Sequence, residues 1–267
     1  MPMKQEILSC LGNHPWREYL QYHSCTGSTN DLAKALAREN APEGTVVVAA
    51  EQTAGRGRMG RSFHAPAGLG LYFSLILRPN CPPEKLLHLT CASAVAACDS
   101  VESCAGFRPQ IKWTNDLVVD GHKLGGILTE LSVSSKTGLV EWAVIGIGIN
   151  CGHRKEDFPP ELQDMATSLL QITGTKYVPG TLAAHCIRAF YNLNQQLLTH
   201  KSDILNRYRR DCMTIGQKVV LLRGDERRYG TALDLDADGG LLVQFDDGTT
   251  ETVHSGEISV RGLYGYA

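Results

Sequence analysis

The sequence predicts an α/β (α+β) protein: a mixed sheet layered with helices over residues 1–213, then a small β-barrel over residues 214–267. Two observations predict it. Long helical stretches separate groups of short strands, several hairpin-linked, which suits a mixed layer structure and not a doubly wound parallel sheet. Near Thr214 the texture changes to short strands broken by Gly/Asp turns.

The elements follow in order. Thr26-Gly27-Ser28-Thr29-Asn30 precedes a helix over Asp31–Glu39, a hydroxyl before an acidic first turn. Residues 45–50 (TVVVAA) and 71–77 (LYFSLIL) are short buried strands. Pro82-Pro83 opens a long helix over about Glu84–Ser103. Ile111–Glu130 reads as two strands joined by Asp120-Gly121, a strong hairpin signal. A strand over Leu139–Asn150 and a helix over about Thr181–Leu198 complete the layer. The barrel strands are KVVLL, RRYGTAL, LLVQF, TTETV and EISV, between Gln217 and Val260. Their turns are Arg223-Gly224-Asp225, Ala237-Asp238-Gly239-Gly240 and Asp246-Asp247-Gly248.

Composition excludes several classes. A 43% apolar, 20% charged chain is an ordinary globular protein. A net charge of -2 argues against a constitutive nucleic-acid binder, which needs excess Lys and Arg. No apolar run reaches the roughly 18 residues of a membrane span. Met1–Leu11 is a poor signal peptide, with one Lys and a broken apolar run. The nine cysteines are odd in number and form no C-x-x-C pair, so they read as reduced thiols of a cytoplasmic protein. Cys91 and Cys98 lie in an Ala-rich helical stretch, as small core residues.

The stretch from Glu51 to Arg61 contains G-x-G-x-x-G at Gly55, Gly57 and Gly60. A dinucleotide site needs a helix opening at those glycines. Here Ser62–Gly70 carries a Pro and two Gly and runs into a strand, so that reading fails. Three arginines within six residues remain on freely bending backbone, and guanidinium forks suit carboxylate and phosphate. The plain alternative is a solvated surface loop.

In the hairpin, a two-residue turn pairs Val119 with His122 and Val118 with Lys123. Strand alternation then places Lys112, Asp116, Val118 and Lys123 on one face beside Gly125-Gly126. A lysine there can steady charge developing on a phosphate; a surface ion pair is the alternative. Ser28-Thr29-Asn30 by itself reads better as only a helix cap. Gly146-Ile147-Gly148-Ile149-Asn150 reads equally as a strand whose glycines admit a close neighbour.

Taken together, G-S-T-N at 27–30, E-Q-T-A-G-R-G-R-M-G-R at 51–61, K-W-T-N-D at 112–116, K-L-G-G-I-L-T-E at 123–130 and G-I-G-I-N at 146–150 resemble the catalytic domain of biotin–protein ligases, in order and spacing. The stretch after Gln217 resembles that family's SH3-like C-terminal domain. The resemblance implies a large domain related to class II aminoacyl-tRNA synthetases. It also implies a two-step reaction: biotin and MgATP give biotinyl-5′-adenylate, then a lysine of a biotin carboxyl carrier protein takes the biotin. It places Ser28, Thr29, Asn30, Gln52, Arg56, Gly57, Arg58 and Lys123 on biotin and its adenylate. Arg58, Arg61, Phe63, Lys112, Asn115, Asp116 and Asn150 fall on the nucleotide, with Asp116 attending Mg²⁺ indirectly. Lys123 and Arg58 would be catalytic.

The substrates implied are ATP, Mg²⁺ and biotin, with no permanently bound cofactor, in a monomer or weak homodimer. Thr114 replaces a common proline, expected to loosen the start of a strand, and Met59 replaces a common arginine. With 27 residues before Ser28, too few for a winged helix, no DNA binding is expected. A lipoate ligase is the nearest rival, but its R-R-x-S-G-G-G loop is missing. A non-catalytic nucleic-acid binder is opposed by the acidic barrel (Asp225, Glu226, Asp234, Asp236, Asp238, Asp246, Asp247, Glu251, Glu257). The Gly/Arg loop is expected to act as a lid, ordered by anionic ligands.

Overall fold

The hydrophobic runs sort into two sheets. The computed structural model describes residues 2–223, 226–254 and 259–262. Helix α1 (Pro2–Leu11) leads to β1 (Leu20–His23), α2 (Thr29–Arg38), β2 (Val46–Ala49) and β3 (Gly70–Leu77). Helix α3 (Leu89–Ala105) follows, then β4 (Gln110–Lys112), β5 (Asp116–Val119), β6 (His122–Val133) and β7 (Val140–Asn150). Helices α4 (Leu169–Thr173), α5 (Pro179–Gln196) and α6 (Lys201–Asp211) precede β8 (Lys218–Arg223), β9 (Glu226–Leu235), β10 (Leu241–Phe245), β11 (Thr250–Val253) and β12 (Ser259–Gly262). Of the expected turns and strands, Gly224, Asp225, Glu257 and Ile258 lie outside the described residues.

Seven strands form a mixed sheet in the order β1-β2-β3-β7-β6-β5-β4, parallel only between β1 and β2. Every residue of β3 is buried because both of its faces are covered. One face packs Val46, Val48, Phe73, Leu75, Ile145 and their neighbours against α1, α3, α5 and α6. The other packs Val47, Ile76 and Val144 against Ala33 and Ala37 of α2. Helix α2 is only ten residues long, so it covers part of that face and leaves the remainder for a site.

Two expectations need correction. The helix expected over Glu84–Ser103 is a 3₁₀ turn at Pro83–Leu86 followed by α3. The break falls at His88, whose buried ring lies in hydrogen-bonding contact with the Leu197 carbonyl (3.0 Å). Ile111–Glu130 holds three strands, because Trp113–Asn115 turns the chain so that Lys112 pairs with Asp116. Helices α1 and α6 were not expected; α6 (KSDILNRYRRD) buries only Ile204, Leu205, Tyr208 and Asp211, too few to show a clear apolar period. The Asp120-Gly121 turn is as expected, with φ of 48° and 75°, the doubly left-handed form that suits hairpins. All nine cysteines are free thiols. No helix among the described residues is long and apolar enough to cross a membrane.

The five C-terminal strands make one antiparallel sheet, β11-β10-β9-β8-β12, the SH3-like unit. It is held to the layer at α6 and at Trp113. Arg209 donates to Asp234 (2.9 Å) and to the Leu235 carbonyl (2.9 Å), and the Trp113 indole N–H donates to the Gly239 carbonyl (3.0 Å). Helix α6 is fastened in turn to α3 by Arg108, which binds Asp99, Glu102 and the buried Asp211.

Removing Asp211 leaves Arg108 desolvated with only two of its three carboxylates. Asp211→Ala is expected to cost about 2 kcal/mol, read as a lower urea midpoint with unchanged slope. An unchanged midpoint would show that Asp99 and Glu102 suffice.

Candidate active site

The site's floor is the part of the sheet that α2 leaves bare. Strand pairing aligns Tyr72, Gly148, Gly126, Asp116 and Lys112 in one row across five strands. The adjoining row is Ser74, Gly146 and Leu128. Three glycines therefore lie where side chains would fill the space. A Cβ on Gly146 would overlap the Asn30 carboxamide, and one on Gly148 would overlap the Phe63 ring. A Cβ on Gly126 would sit 3.3 Å from Asp116 Oδ1 and 3.4 Å from Lys123 Nζ. Above this floor lies a cavity of about 690 Å³, of the size that takes a small organic ligand.

One end of the cavity is hydroxyl and amide. Ser28 stands at the N-cap of α2 without capping through its side chain. The cap is supplied by Gln52, whose Oε1 accepts from the Thr29 N–H (2.8 Å) and the Thr29 hydroxyl (3.0 Å). Asn30 Nδ2 donates to the Leu128 carbonyl (3.3 Å) and to Glu130 (3.0 Å). Ser74 Oγ lies 2.6 Å from Asn30 Oδ1 and 2.8 Å from Thr29 Oγ1, so its single proton serves one of them at a time. The helix N-terminus thus faces the cavity in a fixed orientation, with its positive dipole end inward.

The other end is ionic. Lys123 donates to Asp116 at 2.6 Å, and Lys112 lies opposite Asp116 on β4. A bulge at Leu117/Val118 shifts the register so that Asp116 faces Gly126. Of the four residues expected on one face, Lys112, Asp116 and Lys123 line the cavity, and Val118 is buried instead.

The glycine–arginine loop crosses the cavity as a strap. Arg56 pairs with Ser62 in an antiparallel bridge, and the Gly57 N–H donates to the Arg61 carbonyl (2.7 Å). Met59 takes the left-handed conformation at the tip (φ 56°) and is exposed. On one side Arg56 pairs with Asp31 and Glu130, the latter at 3.4 Å. Burial pushes the Glu130 carboxyl up, but hydrogen bonds from Lys34 and Asn30 and the charges of Lys34 and Arg56 outweigh it and hold it down. On the other side Arg58 Nη1 donates to Thr114 Oγ1 (2.6 Å) and Asn115 Oδ1 (2.8 Å). Burial lowers the pKa of Arg58 and Arg61 adds to that; Asp116 opposes it. Thr114 is buried, and its carbonyl accepts from the Tyr208 hydroxyl (3.0 Å).

Ser28, Thr29, Asn30, Gln52, Arg56, Gly57, Arg58, Arg61, Phe63, Lys112, Asn115, Asp116 and Lys123 all line this one cavity. Asn150 does not. It is buried behind the wall, where its amide donates to the Thr167 carbonyl (3.0 Å). Sequence reasoning missed Leu162, Asp164 and Met165, which close the rim, and the support given by Ser74 and Glu130. Glu130 ends the K-L-G-G-I-L-T-E motif and was the only one of these with a sequence signal.

The description "Biotin/lipoate A/B protein ligase family" matches residues 22–150, and "Biotin protein ligase C terminal domain" matches 214–261. The bifunctional ligase/repressor BirA of Bacillus subtilis (strain 168) is 39% identical over 258 residues, covering 96% of this chain and 78% of that protein. This chain belongs to that ligase family. The biotin–[acetyl-CoA-carboxylase] ligase of Mycobacterium tuberculosis is 32% identical over 249 residues, 91% of this chain and 89% of that one. Among solved structures, the biotin protein ligase from Aquifex aeolicus in complex with biotin and ATP superposes with a TM-score of 0.77 at 29% identity, covering 91% of this chain and 98% of that one.

Within the family's fold the glycine floor has a measurable cost when filled. Alanine normally stabilises a strand over glycine. Gly146→Ala is expected to do the opposite, by about 2 kcal/mol, because Asn30 is bonded on every side and cannot withdraw. A urea midpoint equal to or above that of the parent would show that Asn30 can repack.

Proposed function

We propose that this protein activates biotin with ATP and transfers it to a lysine of a biotin carrier protein. The observation that carries this reading is the single cavity with two chemically different ends. Ser28, Thr29 and Gln52 offer hydroxyls and an amide at one end, suited to a ureido ring. Arg58, Arg61, Lys112 and Lys123 offer cations at the other, suited to a carboxylate meeting phosphate. The apolar stretch between them, over Gly126, Ile127, Gly146 and Gly148, fits a hydrocarbon chain.

In the first step a carboxylate oxygen of biotin attacks the α-phosphorus of ATP. The bond to the bridging oxygen breaks, and pyrophosphate leaves. Both reactants are anions, so the step needs cations that act on the transition state. Lys123, at the ionic end and oriented by Asp116, is the cation proposed for this. Arg58 reaches in from the strap, with Arg61 near the mouth. Phe63 and Asn115 form the proposed adenine side. A magnesium ion arriving with the nucleotide is held mostly by phosphate and water, with one or two carboxylates. Asp116 is the carboxylate placed to serve it. Among the described residues no group of three such ligands exists for a resident metal.

In the second step the carrier's lysine nitrogen attacks the acyl carbon of the anhydride. An amide forms, AMP leaves, and the nitrogen loses a proton. The strap shields the anhydride from water until then.

Purified protein with MgATP and biotin is expected to release pyrophosphate and to label a biotin carrier domain. Labelling by lipoate at a comparable rate would overturn the specificity for biotin. Lys123→Ala is expected to lower adenylate formation at least about 100-fold with an unchanged unfolding midpoint. An activity within about threefold of the parent would remove Lys123 from the chemical step.

A further inference from the structure

The two sides of the strap are held by different chemistry. Arg56 is held by carboxylates, so its charge is cancelled where it stands. Arg58 is hydrogen-bonded to a hydroxyl and an amide oxygen, both neutral; the Asp116 carboxylate, itself bonded to Lys123, also acts on it by its charge. A neutral acceptor fixes a guanidinium in direction and leaves its charge for something else. Arg58 is also half-buried, so that charge acts in a poorly screened space.

The acceptors themselves cannot drift. Asn115 donates its side-chain N–H to the Ile127 carbonyl (2.9 Å), and its own carbonyl accepts from the Ile127 N–H (2.9 Å). The Trp113 N–H donates to the Thr214 hydroxyl (2.9 Å), and Tyr208, fully buried, holds the Thr114 carbonyl. The turn is braced from the sheet, from α6 and from the C-terminal unit at once.

From this geometry we infer that the Thr114 hydroxyl is a positioning residue for Arg58: it latches the strap across the cavity and orients the guanidinium toward an anionic ligand without neutralising it. The inference rests on the biotin-activating reading for its ligand, but the latch itself exists without one. Valine at 114 keeps the shape of threonine and removes the acceptor; serine restores it.

Two measurements test this. The first is hydrogen exchange over residues 55–61 in the ligand-free protein, which needs no substrate. Exchange should be faster in Thr114→Val and close to the parent in Thr114→Ser. Unchanged exchange in Thr114→Val overturns the latch, whatever the protein binds.

The second is the dissociation rate of biotinyl-adenylate in the parent, Thr114→Val, Thr114→Ser, Arg58→Ala and the Thr114→Val/Arg58→Ala double variant. A lost hydrogen bond to a charged group is worth about tenfold or more in the rate. Thr114→Val should therefore release the adenylate about tenfold faster, with Thr114→Ser near the parent. In the Arg58→Ala background Thr114→Val should add nothing, because the two act as one unit. Effects that multiply in the double variant, or serine failing to rescue, mean that Thr114 supports the fold and does not position Arg58. A parent that forms no adenylate refutes the biotin reading, while the exchange measurement still decides the latch.

Discussion

Everything in this site depends on a run of missing side chains. Gly126 and Gly148 face each other on neighbouring strands and Gly146 lies two residues from Gly148 on the same strand, so their lack of Cβ atoms adds up to one trough. Asn30 and Phe63 lean into it from α2 and from the strap. The same strands carry Val144 and Ile145, which fill the two cores on either side. One sheet therefore serves as hydrophobic wall at one end and ligand floor at the other, and the change occurs within two residues of β7. A larger residue at any of these glycines would disturb the floor and what rests on it together.

The polar wall shows how secondary structure is spent on orientation. The first turn of α2 is capped from outside by Gln52, and Asn30 ties the helix to β6 and toward β3. Thr29 and Asn30 belong as much to the sheet as to their helix. The hairpin behaves similarly. Its bulge turns Asp116 toward Gly126, and the ion pair with Lys123 then holds both side chains over the floor.

Much of this was legible in the sequence. The Asp120-Gly121 turn sets the pairing of Val118 with Lys123 and Val119 with His122, as the sequence predicts. Lys112, Asp116 and Lys123 do come together, but through the turn at Trp113–Asn115 and the bulge at Leu117/Val118, which simple alternation does not contain. The glycines of 146–150 leave room for a close neighbour, and the neighbours are Asn30 and Phe63. What could not be read has physical reasons. Ser74 lies inside a run of apolar residues and gains its role only from strand pairing across the sheet. Leu162, Asp164 and Met165 belong to an irregular segment joined to the site by the Lys123 N–H bond to the Met165 carbonyl, a contact without local pattern. Asn150 was placed on the nucleotide by its motif, yet its buried amide is turned toward Thr167. Thr114 looked like a weakness in a strand; its hydroxyl meets an arginine 56 residues away.

The unequal footing of the strap also sets how it answers to ionic strength. The Arg56 side is a partly exposed cluster of ion pairs, the kind of contact that salt screens over a Debye length of about 8 Å at physiological ionic strength. The Arg58 side is short, half-buried hydrogen bonding to neutral groups, which added electrolyte hardly touches. Raising the salt therefore frees one margin before the other. The ion pairs of Arg56 thus weaken as salt rises, while the hydrogen bonds of Arg58 to Thr114 and Asn115 persist.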